Sequence, residues 1–268
     1  MKPSLLAVFA HPDDEVFTGG ALAHYAAAGV KVTLVCATKG DAGKVTDPKL
    51  EVAGAEELAA LRAEELERAT GILGLTDVRM LGYGDSGREE RVRTGDTRAL
   101  MNVPLDEVEA KLREIIAETK PQVIVTFDPH GGYGHADHLA VHRATSAAFF
   151  STGHLENAPQ RLFFGVTPTE NAKAFGEERG LDPFLYGVSD DTVTVSMDVR
   201  AYVERKLEAL KAHRSQMGPT SRMAQMTSEA RTKMEGFFET EYFALGGVRG
   251  PLSLPLRGLF DGLGLTAT

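Results

Sequence analysis

The sequence predicts an α/β fold: a mostly parallel sheet with helices on both faces and a smaller C-terminal lobe. Three observations carry this expectation. Short apolar runs of buried-strand length alternate with helical patterns along most of the chain. Glycines close the helical patterns and a proline opens one, as at Gly29, Gly74 and Pro104. Two dense polar clusters each follow an apolar run and precede a helical pattern, the address at which open α/β sheets bind ligands.

The elements follow in order. Ser4–Ala10 reads as the first strand, and Thr18–Ala28, stopped by Gly29, as its helix. Lys31–Thr38 is the second strand, leaving through the loop Lys39–Gly43. Ala55–Leu73 is rich in Ala, Leu, Glu and Arg, with Leu58, Leu61, Leu66, Ala69 and Leu73 at helical spacing. The third strand spans Asp77–Leu81, followed by the long polar loop Gly82–Asn102. Such a loop in a compact domain is usually functional or disordered. A helix over Pro104–Glu118, a strand over Gln122–Phe127 and a helix over Ala136–Phe150 come next. Strands are expected at Arg161–Val166 and Thr192–Met197, and a last helix at Asp198–Gln216. Beyond Gly218 the pattern is weak until Phe237-Phe238 and Tyr242-Phe243. The order is that of a Rossmann-like sheet. Residues 1–217 are expected to form the α/β domain, with 218–268 an extension packed on it.

Composition narrows the function. The 268 residues are 43% hydrophobic and carry a net charge of −9 without a basic stripe, which argues against a nucleic-acid partner. A lone cysteine, Cys36, excludes a disulfide framework and suits a reducing, cytoplasmic setting. No charged-then-apolar leader opens the chain and no run could span a bilayer, so no membrane partner is expected.

The first cluster is His11-Pro12-Asp13-Asp14-Glu15; the second runs from Asp128 to His138. Adjacent parallel strands would bring the two together. Imidazole and carboxylate suit zinc, whose catalytic sites take about three protein ligands and keep a position for water. His11 and Asp14 are three apart and can face one ion, and a histidine of the second cluster would complete the set. Asp13 is then free to act as a base. His130, His135, His138 and His142 all fall within this region, whereas His24 and His154 read as structural. Against this stand ordinary readings: an Asp-Asp pair is common in solvated turns, and acids favour the first turn of a helix.

The motif Ala10-His11-Pro12-Asp13-Asp14-Glu15, together with Gly134-His135-Ala136-Asp137-His138, resembles the LmbE/PIG-L-type zinc-dependent deacetylases. The second motif has Ala136 where the family usually has proline. The resemblance implies removal of acetyl from an N-acetylglucosamine unit carried on a larger molecule. It implies His11, Asp14 and His138 as ligands of one Zn2+ per chain, with Fe2+ another divalent candidate. It implies Asp13 as general base and His135 as the group that supports the transition state or protonates the leaving amine. Asp137 would keep His135 charged, Tyr133 would reach the oxyanion, and Arg62 and Asp85 would bind sugar. Lys206 and His213 match the family's C-terminal helix and stay outside the catalytic set, and Glu15 reads as a supporting acid. Family members often form homo-oligomers.

The expected substrate is a glucosaminide precursor of a low-molecular-weight thiol of the bacillithiol or mycothiol kind. A thiol S-conjugate amide and a chito-oligosaccharide are alternatives in the same family. A phosphoesterase would use two metals, for which Asp128, His130 and His142 are candidates. A nucleotide-binding α/β protein is disfavoured because the first strand–helix turn lacks G-x-G-x-x-G and a P-loop signature.

Overall fold

Strands come first because they position everything else. The computed structural model describes residues 2–176, 186–221, 224 and 238–263. Among these, seven strands form one sheet: β1 (Ser4–Phe9), β2 (Lys31–Thr38), β3 (Asp77–Tyr83), β4 (Val123–Phe127), β5 (Arg161–Val166), β6 (Val195–Asp198) and β7 (Thr240–Val248). Their order is β3-β2-β1-β4-β5-β7-β6. The first five are parallel, with Leu5 beside Val32 on one side and beside Val123 on the other. β7 runs antiparallel between β5 and β6. β1 and β4 are buried along their whole length, as expected of continuous apolar runs covered on both faces.

The helices are α1 (Gly19–Ala27), α2 (Ala55–Leu73), α3 (Leu105–Thr119), α4 (Ala136–Ser151), α5 (Thr169–Gly176) and α6 (Val203–Ala212). α1, α2 and α6 pack on one another, and α3 packs on α4. Right-handed crossovers put these two groups on opposite faces. The order reverses between β1 and β4, so a crevice opens at their carboxyl ends. That is where both polar clusters lie.

Several expectations shift. The helix expected at Thr18–Ala28 is α1, Gly19–Ala27, and a 3-10 turn at Asp14–Thr18 leads into it. On α2 the buried stripe runs through Leu58, Arg62, Glu65, Leu66, Ala69 and Leu73. Leu61, expected on that stripe, is half-buried, and the charged Arg62 and Glu65 take the inward face instead. β3 extends to Tyr83, and the loop behind it is pinned by Gly84 N–H to Arg98 O and Leu100 N–H to Gly84 O. The expected helix Asp198–Gln216 is a 3-10 turn at Arg200–Tyr202 followed by α6, which ends at Ala212. It stops there because His213 and Ser215 turn inward to Glu15 and Glu65.

The chain after Gly218 contributes β7, and β7 reaches back to α1. Glu241 accepts the N–H of Gly20 at 2.8 Å with Oε1 and that of Ala21 at 2.8 Å with Oε2. These are orphan donors of the first helical turn, where a carboxylate is electrostatically favoured. Lys206 of α6 closes the group, its Nζ 2.7 Å from Glu241 Oε1. Phe237 lies outside the described residues. No helix among them is long and apolar enough to cross a membrane.

Candidate active site

The loop after β1 makes a tight turn in which Asp14 N–H donates to His11 O and Asp14 Oδ2 accepts the His11 N–H at 2.7 Å. The Asp14 side chain is thereby folded back beside the His11 ring. The loop after β4 turns back through Gly131–Gly134, where all three glycines have positive φ and the Gly134 N–H donates to His130 O at 3.0 Å, and α4 starts at Ala136. Ala136 sits at the first helical position, where proline is also accepted, so the alanine leaves the turn intact. Gly131 is required here. Its φ is +62°, and an added Cβ would lie 2.9 Å from the His138 Cβ.

The two loops meet. His11 Nδ1 lies 3.2 Å from Asp14 Oδ2 and 3.2 Å from His138 Nε2, and His138 Nε2 lies 3.3 Å from Asp14 Oδ1. The far side of each ring fixes its tautomer. His11 Nε2 donates to Asp137 Oδ2 at 3.0 Å, and His138 Nδ1 donates to Gly131 O at 3.0 Å. Phe127 stacks on the His138 ring with centroids 4.0 Å apart. Two imidazole nitrogens and a carboxylate therefore point at one buried spot, and a cation there takes the place of the proton that His11 and Asp14 otherwise share. Ligand atoms on a tetrahedral ion with bonds of about 2.1 Å stand roughly 3.4 Å apart, close to the spacing observed. These residues fit a metal ion. A ring nitrogen of His135 also lies within 4.8 Å of those of His11 and His138.

Charge follows from the same geometry. Burial opposes charge on His11, but the Asp85 and Asp14 carboxylates outweigh it and hold the imidazole well above its ordinary value. Burial likewise opposes ionisation of Asp14, and His138 and His11 overcome it. Asp13 faces outward with 21% of its side chain exposed, and Arg62 Nη2 lies 3.2 Å from its Oδ1. Burial pushes its carboxyl up to about 6, against the pull of the Arg62 guanidinium.

Two expected roles change. Asp137 does not hold His135 in its charged form. Its Oδ1 accepts the Ser86 hydroxyl, and its Oδ2 accepts the Ser86 N–H at 2.9 Å and the His11 ring. The nearest approach to His135 is 4.0 Å. His135 Nδ1 accepts the Asp137 N–H at 3.1 Å, so the ring proton sits on Nε2. Burial and the neighbouring His11 and His138 push this imidazole down to about 3, which leaves it a neutral N–H donor. Arg62 is not an open sugar contact. It is 2% exposed and donates to Pro12 O and to Gly40 O, which makes it a support for the Asp13 turn.

Asp85 is 4% exposed, with Oδ1 accepting the Gly87 N–H and lying 3.5 Å from His11 Nε2. Tyr133 is half-buried, its ring centroid 4.9 Å from that of His138, with the Arg88 guanidinium 4.6 Å over its other side. The second-metal candidates of a phosphoesterase are elsewhere. His142 Nδ1 donates to Phe127 O, His130 is exposed, and Asp128 Oδ1 accepts the Gly132 N–H. His24 packs on Tyr25 and Tyr202. His154 is exposed. Ser86 was not expected at the site, and His213, matched to the family's C-terminal helix, was left outside the catalytic set, yet its ring reaches Glu15.

Comparison with known proteins places the chain in a family. The sequence model of one family, PIG-L (GlcNAc-PI de-N-acetylase), matches residues 6–149. The 1D-myo-inositol 2-acetamido-2-deoxy-alpha-D-glucopyranoside deacetylase of Actinosynnema mirum is 38% identical over 98% of each chain. Two solved structures share the fold. N,N'-diacetylchitobiose deacetylase from Pyrococcus horikoshii has a TM-score of 0.58 at 24% identity, covering 97% of this chain and 86% of its own. GalB, the 4-carboxy-2-hydroxymuconate hydratase of Pseudomonas putida KT2440, has a TM-score of 0.61 at 18% identity, covering 95% and 100%. A hydratase on the same fold means that the site, not the fold, must carry the argument for chemistry. On the sequence matches, the chain belongs to the PIG-L family of GlcNAc-PI de-N-acetylases.

Proposed function

We propose that this chain is a zinc-dependent hydrolase that removes the acetyl group from a small-molecule N-acetylglucosaminide in low-molecular-weight thiol biosynthesis. The observation that carries the reading is the convergence of His11 Nδ1, Asp14 and His138 Nε2 at 3.2–3.3 Å. The glycoside is inferred from the relative in Actinosynnema mirum, whose name specifies an inositol glucosaminide. We place the reaction in the cytoplasm, consistent with the buried, unpaired Cys36.

His11, Asp14 and His138 would hold the ion. When bound, it lowers the pKa of water to about 7 and polarises the amide carbonyl. Asp13 accepts the proton of the attacking water and returns it to the leaving amine. His135, neutral with its proton on Nε2, donates to the oxygen on which charge develops, and the Tyr133 phenol is a second donor. Asp137 orients the His11 ring. Asp85 lies beside it, its Oδ1 held by the Gly87 N–H 3.5 Å from His11 Nε2.

The test is a panel of substrates assayed for released primary amine, with and without chelator. It comprises N-acetylglucosaminyl inositol, N-acetylglucosaminyl malate, diacetylchitobiose and a thiol S-conjugate amide. Amine release from a glucosaminide, lost with chelator and restored by Zn2+, is expected. Release that survives metal removal, or none from any glucosaminide, contradicts the reading. Asp13→Ala should keep the metal and lose about 10²–10⁴ in kcat.

A further inference from the structure

We propose that Glu15 and His213 are positioning residues that hold Asp13 in the backbone conformation its proton transfer requires. The proposal rests on the reading of Asp13 as the base. Asp13 has φ 125° and ψ −20°, a region that L side chains rarely adopt. Such conformations persist only where the surroundings over-determine them. Arg62 grips the carbonyl of Pro12 and the Asp13 carboxylate. The Asp13 N–H is held by Glu15 Oε2 at 3.0 Å. The other Glu15 oxygen, Oε1, is 2.6 Å from His213 Nε2. Glu15 and His213 are 1% and 0% exposed, so this chain of contacts is shielded from water along its length.

His213 comes from a distant element, 198 positions from Glu15, at the point where α6 ends. The segment after it is anchored without the imidazole. Ser215 donates its N–H and its hydroxyl to Glu65, each at 2.7 Å, and its carbonyl accepts the Thr46 N–H at 2.7 Å. Removing the imidazole therefore leaves the segment in place and leaves Glu15 buried with one oxygen unpaired. The carboxylate then turns from the Asp13 N–H, the turn relaxes toward negative φ, and the Asp13 oxygens move. His11, Asp14 and His138 keep their own partners. A displacement of about 1 Å in a reacting group costs on the order of a hundredfold in rate.

The experiment compares wild type, His213→Ala, His213→Gln and Glu15→Asp, all zinc-loaded, by steady-state kinetics, metal analysis and crystal structures. His213→Ala should lose roughly 10–100-fold in kcat, with KM and zinc content unchanged. His213→Gln places an amide N–H within reach of Glu15 Oε1 and should recover most of the loss. Glu15→Asp keeps the charge, shortens the reach and should behave like His213→Ala. In crystals of His213→Ala the Asp13 φ should leave the positive region. The proposal is overturned by a kcat within about twofold of wild type in His213→Ala. It is equally overturned by the same loss in the alanine and glutamine variants, by a change confined to KM, or by an unchanged Asp13 φ. Should His213→Ala fail to fold, Glu15→Asp decides. If the wild type releases no amine from any glucosaminide, the activity reading has failed, and the Asp13 φ in the variant crystals still decides the positioning role.

Discussion

Ser86 gives Asp137 two hydrogen bonds, one from its hydroxyl and one from its N–H, and Asp137 passes the constraint to the His11 ring. The His11 tautomer thus depends on a serine that touches no ligand atom. Ser86→Ala leaves Asp137 Oδ1 without its donor. Loss of a partner of this kind costs roughly 10–100-fold in metal affinity or activity. Metal titration and kcat for Ser86→Ala measure it; wild-type values in both would show that the chain of contacts is idle. His138→Ala should lose bound metal outright in the same titration, whereas Asp13→Ala should not. His11, Asp14 and His138 were legible in the sequence because metal binding demands particular residue types in dense clusters. The pairings of Ser86 with Asp137 and of His213 with Glu15 were not, since they span 51 and 198 positions and a lone serine or histidine carries no local sign of its partner.

Among the elements, β7 shows how tertiary packing hides a strand. Its two glycines, Gly246 and Gly247, weaken the strand pattern. They are there because rings approach the backbone: an added Cβ at Gly246 would overlap the Phe164 ring, and at Gly247 it would lie 2.6 Å from Phe149. Without β7 the Glu241 cap on α1 could not be foreseen either. Glu241→Ala removes acceptors from Gly20 and Ala21 and leaves the Lys206 ammonium buried without its carboxylate. Breaking a buried pair from one side costs about 3–5 kcal/mol. In a chain of this size the melting temperature should fall by roughly 10 °C. Lys206→Met combined with Glu241→Gln, which strands no charge, should fall less. A drop under about 2 °C in Glu241→Ala would show that the cap does not stabilise α1. The parallel half of the sheet, by contrast, was legible from its apolar runs and glycine stops.

At the scale of the molecule, the sheet order β2-β1-β4 brings two loops, whose His11 and His138 are 127 positions apart, to one crevice. The ligand set they form is assembled only in the folded chain, so metal binding should stabilise the whole fold. A ligand that binds only the native state at a hundred times its Kd adds about 2.7 kcal/mol. A rise of roughly 5–10 °C in melting temperature on adding Zn2+ to chelated protein is expected, and no rise would contradict the linkage. The most direct measurement is anomalous diffraction at the zinc edge from crystals of the wild-type protein. One peak within bonding distance of His11 Nδ1, Asp14 and His138 Nε2 is the expected result. A peak on the far side of His11, among Asp85, His135 and Asp137, or no peak at zinc saturation, would contradict it.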